Sequence, residues 1–321
     1  MPEADFDAPL VDLQKRIDEL AAFPGDPVRE KESHRLREEL DQKRREIYSE
    51  LTAWQKTLVA RHPNRPYTLD YIQALFTDWT EVKGDRRFAD DPALLCGFAF
   101  YKERPVCVVG HQKGRDTKQK IYRNFGMPKP EGYRKALRVM QMAAKFSRPI
   151  MTFVDTPGAY PGLDAEERGQ AEAIAYNLRE MAGLRTPIVV TVTGEGGSGG
   201  ALAIAVGDRV NMLEHAVYSV ISPEGCASIL WRDPSRAEEA ATAMKITAQD
   251  LKAVGLVDEV IPEPPGGAHV SHDALFKSVD AVLSAQLEEL RGLDSEALAD
   301  GRYRKFRDMG RLGKEFLEAV E

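Results

Sequence analysis

Cysteine is scarce in this chain of 321 residues. Its three cysteines, Cys96, Cys107 and Cys226, are odd in number, scattered and never spaced as CxxC. That argues against both a disulfide framework and a thiolate zinc site, so no metal is assigned and a reducing, cytoplasmic setting is expected. No apolar run approaches the roughly 20 residues of a membrane-spanning helix. The opening MPEADFDAPL has neither a basic start nor an apolar signal core. Positive charge is lacking overall: the formal net charge of −7 gives no global attraction to nucleic acid or an anionic membrane. Absent too is GxxxxGK[ST], without which the DTPG at 155–158 does not mark a nucleotide-hydrolysing switch protein.

What is abundant is glycine in one place. Ile188, Val189, Val190 and Val192 read as a strand covered on both faces, and Gly194, Gly196, Gly197, Gly199 and Gly200 follow within seven residues. Glycine is the costliest residue to order, so such a run implies tight dihedrals or something lying directly on the backbone. A small-residue helix over 200–206 comes next. Backbone N–H groups at its start would be unpaired and able to meet an oxygen that carries negative charge. DTPGAYPG at 155–162, after the strand PIMTFV, is a second turn whose backbone could line a site.

Taken in order, the chain begins with apolar residues at three- and four-residue spacing. Leu10, Leu13, Ile17 and Leu20 form one set; Leu36, Leu40, Ile47, Leu51, Trp54 and Leu58 form another. FPGDP at 23–27 separates them, which predicts a helical hairpin arm over residues 1–60 with one apolar seam. Residues 61–321 are read as one further domain. A helix capped by Thr68 or Asp70 is expected after the proline-marked turn. Two paired strands are expected at Ala93–Phe100 and Val106–Val109, turning at KERP. From His111 to Arg138, nine Lys or Arg residues face only Asp116 and Glu131. This is either a solvated face or a seat for phosphates or carboxylates.

From residue 132 strands and helices alternate. Helices are expected at 132–146, 165–182, 223–230 and 247–254, with strands at 149–154, 187–192, 208–213, 217–222 and 255–261. Alternation argues for a parallel sheet with crossover helices. The short strands 208–213 and 217–222 are expected to pair with each other, which suggests a stack of ββα units, two small sheets wound as a spiral. A helix from Ser271 to Arg291 and a further charged helix, expected to lean on a partner, complete the α/β reading.

Several residues admit two readings. Gly196-Gly197-Ser198-Gly199-Gly200 fits GxSxG at a strand-to-helix turn. A serine hydrolase using Ser198 would need a histidine and a carboxylate after it, and His215, His269 and His272 are the candidates. His111 is either a base or ligand, or a structural core histidine. Glu166, Glu167 and Arg168 suit a helix start, and Glu195 is either a turn former or a site residue. A binding or assembly module, with an architectural glycine turn, is the alternative from a different class.

Several ordered strings bear on this choice: GHQKGR, RNFGMPKPEGYRKALRVMQMA, FVDTPGAYPG, AEERGQAEAIA, GEGGSGGALAI and YSVISPEGCASILW, with ARHPNRPYTLDYI and IPEPPGGAH. Together they closely resemble the alpha subunits of bacterial acetyl-CoA carboxylase carboxyltransferases, over nearly the whole chain and most densely from 97 to 265. The resemblance implies a crotonase-like fold of stacked ββα units. It implies transfer of a carboxyl group from carboxybiotin, held on a separate biotin carboxyl carrier protein, to acetyl-CoA, giving malonyl-CoA for fatty acid synthesis. It implies a beta subunit in an α2β2 assembly, with biotin carboxylase in the full complex, and no metal in this chain. By resemblance the N–H groups of Gly199 and Gly200 face the biotin ureido oxygen as the catalytic donors. Gly196 and Gly197 shape the turn, and Gly158, Ala159 and Tyr160 form a wall of the biotin pocket. The beta subunit supplies the matching hole for the thioester. Decarboxylated biotin itself takes the methyl proton, so no side-chain base is required. Gly200→Val is expected to block biotin with the fold intact. A carboxyltransferase for another acyl-CoA remains the alternative within the family.

Overall fold

A computed structural model describes residues 5–22 and 26–310. Two helices, α1 (Ala8–Ala21) and α2 (Pro27–Ser49), pack on each other at one end of the molecule. Leu10, Leu13 and Ile17 of α1 are buried with Leu36 and Leu40 of α2, as their three- and four-residue spacing demands. Of the expected break FPGDP, residues 23–25 lie outside the described residues. Asp26 caps α2 by accepting the Val28 N–H, and Pro27 takes the first helical position.

The second half of the expected seam does not continue this helix. Thr52 and Gln55 form a reciprocal capping box, which starts a separate α3 (Ala53–Ala60). Its Ala53, Trp54 and Ala60 pack with Val217, Ala241 and Ile246 of the main body. In α4 (Thr68–Leu75), Asp70 provides the cap by accepting the Tyr67 N–H at 2.6 Å. Thr68, the other candidate, instead donates its hydroxyl to the His111 carbonyl.

The remaining elements are β1 (Thr77–Glu81), β2 (Leu94–Tyr101), β3 (Arg104–His111), α5 (Thr117–Tyr122), α6 (Pro130–Lys145), β4 (Ile150–Thr156), α7 (Leu163–Glu167) and α8 (Gln170–Gly183). Then come β5 (Ile188–Gly197), α9 (Ser198–Leu202), β6 (Arg209–Leu213), β7 (Val217–Ser219), α10 (Pro223–Trp231), α11 (Ala237–Met244), α12 (Ala248–Ala253), β8 (Glu259–Ile261), α13 (His272–Arg291) and α14 (Ser295–Asp308). One sheet runs β1-β2-β3-β4-β5-β6-β8. The β1–β2 and β2–β3 pairs are antiparallel, and every pair from β3 to β8 is parallel. The hairpin at KERP turns through Lys102 and Glu103, both at positive φ. Every residue of β4 is buried, as a parallel strand covered on both faces requires. Helices α6 and α8 pack together beside β2 and β3, and α13 lies against α4, β5 and β8.

Three expectations change. The strands at 208–213 and 217–222 do not pair with each other. β6 sits between β5 and β8, while β7 pairs with β5 at Glu195–Gly197. The helix expected at 165–182 is broken at Gly169, whose φ of 82° ends α7 and admits α8. The helix expected at 200–206 spans only Ser198–Leu202. β1, α5 and α11 lie where no element is expected from the sequence. Among the described residues no helix is long and apolar enough to cross a membrane.

The charged helix α14 is tied to this chain rather than left for a partner. Arg302 is buried and uses all five of its N–H donors. Two go to Asp208 at 3.0 and 2.8 Å, and three go to the carbonyls of Met181, Leu184 and Thr186. Asp208 also accepts the Ile188 N–H at 2.7 Å, so one ion pair joins α14 to the starts of β5 and β6. Removing one partner of such a pair leaves a buried charge uncompensated. Arg302→Met should therefore cost roughly 3–5 kcal/mol, and Arg302→Lys nearly as much, because three rotatable donors do not replace a planar fork of five. Urea denaturation checks this, and midpoints equal to the wild type would contradict it.

Candidate active site

The two turns singled out in the sequence meet at the carboxyl ends of β4 and β5. Asp155 is the penultimate residue of β4, and the strand's continuation, Thr156 to Gly158, is fixed by the Thr156 hydroxyl. That hydroxyl donates to the Gly158 carbonyl at 2.7 Å and accepts the Gly158 N–H at 3.1 Å. β5 does not end before its glycines, as the sequence suggested. It runs through Gly194, Gly196 and Gly197, with Gly196 in register with Thr156. The turn is compressed into Ser198, held at φ 51°, where α9 begins.

Close approach explains the glycines. A Cβ at position 194 would stand 2.4 Å from the Asp155 carboxylate. One at position 200 would stand 2.4 Å from the Gly158 carbonyl carbon and 2.5 Å from the Ala159 nitrogen. Gly196 lies under the Tyr218 ring and Gly197 against the Pro157 carbonyl. Gly199 differs, since a Cβ there would meet only Ile174 at 3.4 Å. Gly158, Ala159, Gly197 and Gly200 are thereby brought into one junction. Tyr160 stands beside it, its ring 4.6 Å from the Lys129 ammonium. The N–H groups of Gly199 and Gly200, at the start of α9, have no hydrogen-bond partner among the described residues.

Beneath this junction lies a charged cluster that sequence reading missed. The Asp155 carboxylate accepts from Lys113 Nζ at 2.6 Å and from the Glu195 N–H at 3.0 Å. Arg61 donates to Glu195 at 2.7 Å and to Glu224 at 2.5 and 3.2 Å. Burial works against the charge on Lys113, but Asp155 and Glu195 outweigh it and hold the ammonium above its ordinary pKa. Just upstream, the buried Arg65 joins Glu263 at 2.6 Å and donates to the Thr193 carbonyl at 2.9 Å, which pins β5 where its glycines begin. Lys113 lies in the quoted GHQKGR and Asp155 in DTPG. Only their type and proximity to the turns could have signalled the pair, because 42 residues separate them.

His111 resolves to the core reading. It is fully buried, its Nδ1 accepts the Asp155 N–H at 3.4 Å, and burial pushes its pKa down to about 3, so it stays neutral. The triad required by a nucleophilic Ser198 does not assemble. His215 is buried 3.2 Å from Glu263, His269 stacks on His62, and His272 bonds the Asn64 carbonyl. No histidine is hydrogen-bonded to Ser198 among the described residues. Arg168 pairs with Glu131 and Asp164, which makes it part of the wall between α6 and α7.

The basic stretch is mostly neither a solvated face nor an anion seat. Lys113, Arg115, Lys129, Arg134 and Lys135 pair with Asp155, Asp70, Asp164, Asp85 and Asp90. Arg123 and Arg138 donate to backbone carbonyls. Among the described residues, Lys118 and Lys120 are the two of the nine that make neither kind of contact.

A cleft of about 1440 Å³ opens between the α1–α2 pair and the body. Phe6, Leu10, Tyr48 and Trp54 form one side, and Arg61, Lys113, Pro157 and Glu195 reach its other side. Gly196, Gly197, Gly199, Gly200, Gly158, Ala159 and Tyr160 do not line it; they form the separate junction described above.

Comparison with known proteins adds a further set of findings. Residues 3–310 match the family model described as acetyl co-enzyme A carboxylase carboxyltransferase-like. The acetyl-coenzyme A carboxylase carboxyl transferase subunit alpha of Syntrophotalea carbinolica is 60% identical over 307 residues, covering 95% of this chain and 97% of the relative. Its counterpart in Geobacillus thermodenitrificans is 56% identical over 312 residues, covering 97% and 96%. Among solved structures, a Pseudomonas malonate decarboxylase hetero-tetramer superposes with a TM-score of 0.60 at 20% identity, over 78% of this chain and 95% of that one. Transcarboxylase 12S superposes at 0.58 and 21% identity, over 71% and 42%. These likenesses bear out the crotonase-like α/β fold.

The glycine geometry corrects the expectation for Gly200. A side chain there would meet backbone of the 157–160 turn at 2.4–2.5 Å, so Gly200→Val is expected to displace that turn rather than leave the fold intact. Gly200→Ala should cost about 1–3 kcal/mol through overpacking, whereas Gly199→Ala should stay within about 1 kcal/mol of the wild type. Thermal and urea unfolding of the two variants decide this, and equal stabilities would contradict the geometry.

Proposed function

The chain belongs to the family of acetyl-CoA carboxylase carboxyltransferase alpha subunits, and on that premise we propose that it forms the biotin side of a carboxyl-transfer site shared with a beta subunit. It is a carboxyltransferase subunit of acetyl-CoA carboxylase. In this reading the beta subunit joins it in an α2β2 assembly, with acetyl-CoA as acceptor and malonyl-CoA as product. Carboxybiotin, delivered on its carrier protein by the wider complex with biotin carboxylase, supplies an activated carboxyl group and a ureido oxygen on which negative charge develops.

The observation that carries the proposal is the pair of successive, unpartnered N–H groups at Gly199 and Gly200. They lie at the carboxyl ends of parallel strands, where open α/β sheets bind their ligands. A preorganised donor of this kind contributes on the order of 3 kcal/mol, or about 10²–10³ in rate. The fit to a ureido oxygen rests on donor chemistry: two backbone N–H groups face the junction, and the cation beside it, Lys129, is paired with Asp164. Gly196 and Gly197 let the Tyr218 ring and the Pro157 carbonyl approach closely enough to aim the two N–H groups. Gly158, Ala159 and Tyr160 wall the same junction. In this reading the chain supplies no side-chain base, consistent with a neutral, fully buried His111.

Malonyl-CoA formation should appear only when this chain is mixed with a cognate beta subunit and supplied with carboxybiotin and acetyl-CoA. Each subunit alone should give no more than background. Activity by this chain alone would overturn the shared-site reading. An assembled but inactive mixture that carboxylates propionyl-CoA or a longer acyl-CoA would transfer the reading to that acceptor.

A further inference from the structure

Five glycines in seven residues cannot hold their own N–H groups in place, because glycine has the greatest backbone freedom of any residue. A catalytic donor must nevertheless be held to about 0.5 Å. The rigidity has to come from outside the run, and the charged cluster below it supplies two cations from two distant elements. Lys113 sits on the loop after β3. Its Nζ lies 2.6 Å from Asp155 Oδ1, the same oxygen that accepts the Glu195 N–H, and 3.6 Å from the Glu195 carboxylate. Arg61 follows α3. One arm reaches Glu195 at 2.7 Å, and the other reaches Glu224 in the first turn of α10. The DTPG turn, the residue that enters the glycine run and α10 therefore converge on two cations. Glu195 is locked at both its N–H and its carboxylate.

We propose that Lys113 and Arg61 are positioning residues of the carboxyl transfer, which clamp Glu195 and Asp155 so that the Gly199 and Gly200 N–H groups keep a fixed direction. The inference rests on the functional reading above and goes beyond it by assigning a role to side chains that neither donate to nor accept from the reacting atoms. Both cations are already paired with carboxylates. For stability alone, well-packed apolar residues would serve as well as a buried ion cluster; what the cluster adds is direction.

The test uses the assembled complex with the beta subunit, acetyl-CoA and carboxybiotin. Lys113→Met and Arg61→Met should each lower kcat by about tenfold or more, as expected for misplacement of a preorganised donor. The KM for acetyl-CoA should stay within about twofold, because ground-state binding is not touched. Lys113→Arg and Arg61→Lys should each recover part of the lost kcat, since each retains one ion pair. Circular dichroism and gel filtration confirm folding and assembly before the kinetics are read. If Lys113→Met fails to fold, Arg61→Lys carries the test: it keeps the charge but loses the two-armed hold on Glu195 and Glu224, and kcat should fall by about threefold or more. Wild-type kcat in folded, assembled variants would overturn the inference, as would a loss confined to KM. An inactive wild-type complex would overturn the functional reading itself, and this inference with it.

Discussion

A carboxylate buried between two parallel strands sets the terms for the rest of this site. Asp155, next to last in β4, holds its oxygens in the space that a side chain at position 194 would occupy, so β5 must pass it as glycine. The same carboxylate needs a cation and takes Lys113; it also needs N–H donors and takes that of Glu195. An uncompensated charge at this depth would cost several kcal/mol. The strand ends, the loop after β3 and the start of the glycine run are thus one electrostatic unit, and α9 is aimed by it.

The pattern recurs at other joints of the chain. Arg65 and Glu263 pin the Thr193 carbonyl on the strand that leads into the glycines. Arg302 and Asp208 gather three carbonyls and a strand N–H where β5 and β6 begin. In each case a planar guanidinium collects backbone acceptors that the sheet leaves over, and a carboxylate neutralises it. The basic stretch belongs to the same design. Five of its nine cations pair with aspartates brought in from other elements, and two more donate to backbone carbonyls, which is why a run that reads as a surface patch is largely consumed by the fold.

Local signals were legible where one stretch of sequence determines one structure. The leucine spacing of the first helices, the hairpin at KERP, the strand PIMTFV and the DTPGAYPG turn could all be read directly. The ordered motif strings carried the family. What stayed hidden depends on groups distant in the chain. Arg61 meets Glu195 across 134 residues and Glu224 across 163, and no periodicity encodes such a meeting. The continuation of β5 through its glycines looks like a turn in sequence because glycine is a turn former; what makes it a strand there is pairing with Thr156 of β4 and with β7, a three-residue segment. In sequence Gly200 looks open to a ligand from outside, yet the backbone of Gly158 and Ala159 already lies against it. Ser198 and its flanking glycines satisfied a hydrolase pattern, but the histidines that would complete it are held elsewhere.

Amide hydrogen exchange in Asp155→Asn tests most directly whether the buried carboxylate governs the site. Asparagine keeps an oxygen for the Glu195 N–H but gives up the charge that holds Lys113. Exchange over residues 193–197 should accelerate by about tenfold, the equivalent of losing one charge-assisted hydrogen bond, while residues 150–154 and 188–192 keep their protection. Unchanged protection over 193–197 would mean that the glycine strand is held by its neighbours alone, and the carboxylate would lose its central place.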